Sequence, residues 1–303
     1  MQKLSLRTCW SGLILVGLVS AFVFFMNHDR IRSGKSPPPP APVRHIQYSF
    51  TIQNTKNTVL SRADLWLHAP AQETSMQRCR SLEISHPHEL IRDELGNQVL
   101  HLSFSDFSPY ASKIVTVKAE LESQERPRAM PFAGTKIFLQ PEKDIESDHP
   151  EIITLANTLK GISPAETVKN TFTWVAHNLR SIGYLKNSRG ALYALRNKEG
   201  DCTEFMSLFV ALCRANRIRA RGIGGYVCAG DCIVTPAGYH NWAEFYLDGA
   251  WRIADPQKKV FMENESQYVA MRVLGSSAGN TLGDFNRFRV DGDGLKAKMN
   301  TDS

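Results

Sequence analysis

The sequence predicts an α+β protein, with a β-sandwich-like domain followed by a core in which a buried helix lies beside an antiparallel hairpin. Three observations carry this. Short runs of alternating apolar residues fill 43–121, a capped and almost wholly apolar helical stretch starts at Cys202, and two apolar runs flank Asp248-Gly249. The predicted organisation is a membrane anchor over 1–28, a proline-rich linker over 29–42, a β-rich domain over 43–140, and a mixed helix-and-strand domain over 141–303 that ends in a tail.

The apolar fraction of 42% with 22% charged residues is that of an ordinary folded chain. The net charge of +6 is concentrated at the start, where Lys3, Arg7, Arg30, Arg32, Lys35 and Arg44 face only Asp29, so the rest of the chain carries +1. A nearly neutral globular part excludes a nucleic-acid partner, which requires clustered Lys and Arg against phosphates. Residues 10–26 contain no charge and are rich in Leu, Val and Phe. At 1.5 Å per residue they span about 25 Å, enough to cross a hydrocarbon core with little to spare. The small-residue site Val19-Ser20-Ala21 is followed by five more apolar residues, which argues for an uncleaved signal anchor. The expected location is therefore a membrane-anchored protein with its folded part outside the cytoplasm, in the periplasm. The proline run 37–40, with Pro42, reads as a stiff polyproline II spacer.

In the first domain Ile46, Tyr48 and Phe50 alternate with polar residues, and Leu65 with Leu67, 99–104 and 114–121 repeat the pattern. Gly96-Asn97 and 106–109 supply turns. No residue there suggests chemistry; His86-Pro87-His88 lacks ligands at metal spacing, and Cys79 lacks an evident partner.

Beyond Pro141 the texture turns helical. Pro150 and Gly161 bracket a helix over 151–160, and Ser163-Pro164-Ala165-Glu166 caps another that carries Val168, Phe172, Val175 and Leu179 on one face. Asp201 then reads as an N-cap with Glu204 as the capping-box acid, so Cys202 opens a third helix, apolar on most sides. A thiol at a helix N-terminus is expected to have a lowered pKa, which suits a nucleophile. After it, 219–227 reads as a strand whose Gly222, Gly224 and Gly225 imply close approach of another backbone or a ligand.

The hairpin supplies the base. A two-residue turn at Asp248-Gly249 sets Leu247 opposite Ala250, Glu244 opposite Ile253, Trp242 opposite Asp255 and His240 opposite Gln257, so His240, Trp242 and Asp255 share a face. His240 and Asp255 become diagonal neighbours about 7–8 Å apart at Cα, a gap their side chains can close. Cysteine, imidazole and carboxylate together form a candidate triad of Cys202, His240 and Asp255. Cys228 and Cys232, three residues apart in a loop, leave three readings open: a local disulfide, a zinc site completed by His240, or free thiols. Asp291-Gly-Asp293-Gly is too incomplete for a calcium loop. The segment from Leu274 onward, rich in Gly, Ser, Asn and Asp with scattered Phe and Arg, reads as loop that can pack over the core.

Several of these stretches resemble the transglutaminase-like superfamily of papain-like enzymes. They are Gly200-Asp-Cys-Thr-Glu204, Leu208-Phe-Val-Ala-Leu-Cys-Arg214, Gly225-Tyr226, His240-Asn-Trp-Ala-Glu244, and Asp248-Gly-Ala-Trp251 to Asp255-Pro256. The resemblance covers roughly 141–261, with Arg219 where many relatives carry proline and Gln257 where threonine is frequent. It implies a papain-like core preceded by a β-rich domain, with Cys202 as nucleophile, His240 as general base and Asp255 as its orienter, and without cofactor or metal. The implied activity is acyl transfer on peptide or glutamine-type amides of a peptide or protein substrate, with hydrolysis favoured. The alternatives are protein cross-linking and a non-catalytic module that binds peptide or an envelope polymer.

Overall fold

The structure is a computed structural model that describes residues 42–130, 135–275 and 287–301. The anchor and most of the linker expected from the sequence lie outside these residues, and no helix among the described residues is long and apolar enough to cross a membrane.

Six strands open the described residues: β1 (Val43–Asn54), β2 (Leu60–Ala69), β3 (Gln77–Ile84), β4 (Glu89–Arg92), β5 (Gln98–Phe107) and β6 (Ser112–Ser123). Four helices follow, α1 (Pro150–Leu159), α2 (Pro164–Asn178), α3 (Gly190–Asn197) and α4 (Cys202–Ala215), with short strands β7 (Arg180–Ser181) and β8 (Glu199–Gly200) on either side of α3. The remainder is β9 (Ala220–Val227), β10 (Cys232–Ile233), β11 (His240–Leu247), β12 (Ala250–Asp255), β13 (Val260–Phe261), β14 (Tyr268–Leu274), β15 (Phe288–Asp291) and β16 (Leu295–Met299).

The predicted sandwich is present. One sheet has the order β10-β1-β6-β3 with β16 also on β1, and the other runs β15-β2-β5-β4. The inward residues of the alternating runs, among them Ile46, Tyr48, Phe50, Leu65, Leu67, Leu100 and Val117, form its core. The tail packs over the core as the sequence allows, but in strands where loop is expected. β16 pairs with β1 from Phe50–Met299 to Asn54–Leu295, and β15 pairs with β2. Val290, Leu295 and Met299 pack into the sandwich core, a burial that a short run among glycines and aspartates does not advertise. The sandwich thus takes strands from both ends of the described chain. Arg44, counted above with the basic start, is buried and donates to the Cys228 and Gln267 carbonyls and to Ser123 Oγ. Burial lowers its pKa.

The second sheet system is β13-β12-β11-β9-β14, antiparallel throughout. Its hairpin has the predicted register from Leu247–Ala250 through Tyr246–Trp251 and Glu244–Ile253 to Ala243–Ala254. Asp248 and Gly249 both have positive φ, +50° and +86°, as a type I′ turn requires. The next expected pairings, Trp242–Asp255 and His240–Gln257, are not formed. Pro256 has no N–H for the ladder, the chain turns with Lys259 N donating to Pro256 O, and Asp255 pairs with Val260 of β13 instead.

Helix α4 packs on this sheet through Phe205, Met206, Leu208 and Phe209, with Ala243 and Phe245 opposite and α1 and α2 alongside. The three glycines of β9 admit neighbours from the same chain. A Cβ at Gly222 would lie 2.5 Å from Met206 Sδ, one at Gly224 would meet Tyr239 Oη, and one at Gly225 would collide with the Val269 carbonyl. Gly225 also pairs with both His240 and Ala270, so its bare backbone sets the spacing of β11 and β14.

Candidate active site

Helix α4 begins where the sequence places it because its first turn is fully capped. Asp201 Oδ1 accepts from Thr203 N at 2.7 Å, and Glu204 Oε2 accepts from Asp201 N at 3.0 Å, closing the capping box. The second oxygens reach outward: Asp201 Oδ2 takes Leu185 N and Glu204 Oε1 takes Arg189 N, which ties the loop before α3 to the helix start. Buried among these groups, the Glu204 carboxyl is raised above its ordinary value.

Cys202 is the first residue of α4 and is half-buried. Its thiol differs from the expected lowered pKa. Burial pushes it up to about 11, the Asn241 backbone hydrogen bond and the Thr203 hydroxyl pull it down, and the charges of Asp201 and Asp255 push it up. The N-terminal dipole is outweighed because two carboxylates and an apolar core surround the sulfur. Cys202 therefore rests as a neutral thiol and needs a base. Iodoacetamide should alkylate it ahead of the fully buried Cys213, at a rate that climbs with pH. A rate already level at about pH 5 would show a preformed thiolate instead.

His240 and Asp255 meet as the register predicts. His240 Nε2 lies 2.6 Å from Asp255 Oδ2, with the imidazole 6% and the carboxylate residue 1% exposed. Asp255 is held on both oxygens, Oδ1 by Lys258 N at 3.1 Å and Oδ2 also by Tyr268 Oη at 3.0 Å. Asn241, next to His240, joins this pair to the cysteine: its backbone hydrogen-bonds the Cys202 sulfur and its Nδ2 donates to Thr203 Oγ1 at 3.0 Å. The start of β11, the end of β12 and the start of α4 thus converge, bringing together all three residues singled out from the sequence.

Sequence reasoning missed Tyr268, Asn241 and Thr203. Asn241 sits inside the His240-Asn-Trp stretch and Thr203 directly follows Cys202, so proximity was a signal for both. Tyr268, on a strand thirteen residues beyond Asp255, left none. The zinc reading of Cys228, Cys232 and His240 is overturned, since Cys228 and Cys232 form a disulfide and His240 faces Asp255. No group of three or more His, Cys, Asp or Glu suited to a metal occurs among the described residues. A cavity of about 650 Å³ opens beside His45, Lys118, Glu120 and Asp231, and its lining includes none of the triad residues.

Residues 153–256 match the sequence profile of the transglutaminase-like superfamily. They form a transglutaminase-like core. The matched stretch runs from α1 to Pro256 and so contains Cys202, His240 and Asp255. Among solved structures, a Cytophaga hutchinsonii protein provisionally described as a cysteine protease is 18% identical, with a TM-score of 0.57 over 86% of this chain and 94% of that one. At that identity the likeness is one of fold, and it spans the β-rich region as well as the transglutaminase-like core. The periplasmic domain of TgpA from Pseudomonas aeruginosa is also similar, at 14% identity and a TM-score of 0.40 over 70% of this chain and 88% of that one. A search of curated proteins finds no match.

Proposed function

We propose that this chain is a cysteine-dependent hydrolase of peptide or glutamine-type amide bonds, with Cys202 as nucleophile, His240 as general base and Asp255 as its orienter. The observation that carries the reading is the 2.6 Å contact of His240 Nε2 with Asp255 Oδ2, one residue from the Asn241 backbone that touches the Cys202 sulfur. With Nε2 engaged by the carboxylate, Nδ1 is the imidazole nitrogen left to accept the thiol proton. The sulfur then attacks the amide carbonyl, and the oxyanion forms near the backbone N–H of Cys202, the first residue of α4. Imidazolium returns the proton to the leaving nitrogen, the C–N bond breaks, and a thioester remains. Water, deprotonated by the same imidazole, cleaves the thioester to free acid and thiol.

The catalytic part works outside the cytoplasm, held to the membrane by residues 10–26, in this proposal. The Cys228–Cys232 disulfide supports it, because such bonds persist in oxidising compartments. A peptide library incubated with the full chain, with and without a primary amine such as methylamine, tests the chemistry. New carboxyl termini, or Gln converted to Glu, support hydrolysis; methylamide products alone would move the assignment to cross-linking, and no turnover would leave a binding module.

A further inference from the structure

We infer that Tyr268 is a positioning residue of the triad, acting on His240 through Asp255; the inference rests on the triad reading above. Its hydroxyl donates to the same Asp255 oxygen, Oδ2, that His240 Nε2 contacts, at 3.0 and 2.6 Å respectively. An oxygen that accepts two donors has its lone-pair directions assigned, so the carboxylate cannot rotate away from the imidazole without losing both bonds. The other oxygen is fixed by Lys258 N. The phenol is 5% exposed and its ring packs edge-on against Trp242 at 5.0 Å, which lies alongside the His240 ring at 6.4 Å. A buried hydroxyl in such surroundings is costly unless hydrogen-bonded, and Asp255 is its partner. Burial and the Asp255 charge both raise the phenol pKa, so it remains a donor wherever the enzyme works.

The strand that carries Tyr268 is itself held by the sandwich. Gln77 brackets Ala270, donating from Nε2 to its carbonyl at 3.0 Å and accepting its N–H on Oε1 at 3.0 Å, while Ala71 N also donates to Ala270 O. Asn97 does the same for Val273, accepting its N–H and donating to its carbonyl. Between these clamps β14 shifts register against β9, at Ala270/Arg272. The β-rich domain thereby sets where Tyr268 stands. Neither clamp touches a group that reacts.

The charged and titratable groups at this point are His240, Asp255, Tyr268 and Cys202, with Asp201 also acting on the Cys202 sulfur. A hydroxyl that donates to Asp255 draws off part of its negative charge and so weakens its hold on imidazolium. Removing the hydroxyl while keeping the ring, as in Tyr268→Phe, should strengthen that hold on imidazolium. The acid limb of kcat/KM should then move up by about half a pH unit. The kcat should fall about tenfold with KM unchanged, the size expected for one hydrogen bond to a charged group. Both are read on a peptide cleaved in the library, and the acid limb is read again as the pH profile of iodoacetamide alkylation at Cys202. A limb that stays in place or moves down overturns the inference, whatever happens to kcat. Asp255→Ala separates the two readings: if it cleaves as the wild type does, the triad itself is wrong. If it is inactive while Tyr268→Phe keeps the wild-type limb, only the role of Tyr268 falls.

Discussion

Cys202→Ala is expected to lower kcat for amide hydrolysis by about four orders of magnitude or more, the scale seen when a nucleophile is removed from a triad that works as a unit. The fold should survive. The cap of α4 is made by the Asp201 and Glu204 side chains, neither of which needs the sulfur, and alanine is a good helix former at this position. The cost in stability should be about 1 kcal/mol, that of removing one half-buried sulfur. Circular dichroism melting read beside the kinetics separates the two effects. Cys213→Ala is the matched control: it lies on the same helix but fully buried in the apolar core, so it should lose stability and keep its kcat. Residual activity of a few per cent or more in Cys202→Ala would mean that another group attacks, and the triad assignment would fail.

The neutral resting thiol changes how this loss is understood. With its pKa pushed up to about 11, Cys202 contributes almost no thiolate at neutral pH, so the proposed mechanism depends on His240 removing the proton during attack. The loss in a His240 variant should therefore approach the loss in Cys202→Ala.

How much of this was legible in the sequence depended on the range of each interaction. The capping box of α4 is complete within four residues, and the structure places it where Asp201 and Glu204 imply. The His240–Asp255 contact spans fifteen residues, yet a two-residue turn with positive φ at both positions fixes the register between them, so counting along the chain sufficed. Prediction failed one step later, at Pro256, where the missing N–H ends the ladder before Gln257 can pair with His240; Gln257 donates instead to Ser181 Oγ. What needed the third dimension was not legible. The Cys202 pKa follows from burial and from the approach of Asp255, neither of which a helix N-terminus reveals. Strands β15 and β16 pair with β2 and β1, more than two hundred residues away, and Tyr268 reaches Asp255 from β14, a strand paired with β9 and clamped from the sandwich by Gln77 and Asn97.

Asp255→Asn is the second large effect, and the hydrogen bonds around the carboxylate determine its direction. An amide at 255 has one acceptor oxygen and one NH2. Lys258 N–H is a fixed donor that faces Oδ1, so the amide oxygen must turn to it. The NH2 then occupies the Oδ2 position, facing Tyr268 Oη and His240 Nε2. The tyrosine hydroxyl can rotate to accept. Imidazole can accept from the amide only by carrying its proton on Nδ1, the nitrogen that must take the Cys202 proton. The residue is thus isosteric and the geometry is kept, but the base is held in the wrong tautomer and no negative charge remains to stabilise imidazolium. The expected loss in kcat is about 10³–10⁴-fold, with KM and melting temperature close to wild type. Asp255→Ala should be worse for stability, since it leaves Lys258 N–H and the buried Tyr268 hydroxyl without an acceptor, at about 1–3 kcal/mol for each group. A kcat within tenfold of wild type for Asp255→Asn would show that the carboxylate charge is not needed. His240 would then have to be oriented by its backbone register against Gly225 alone.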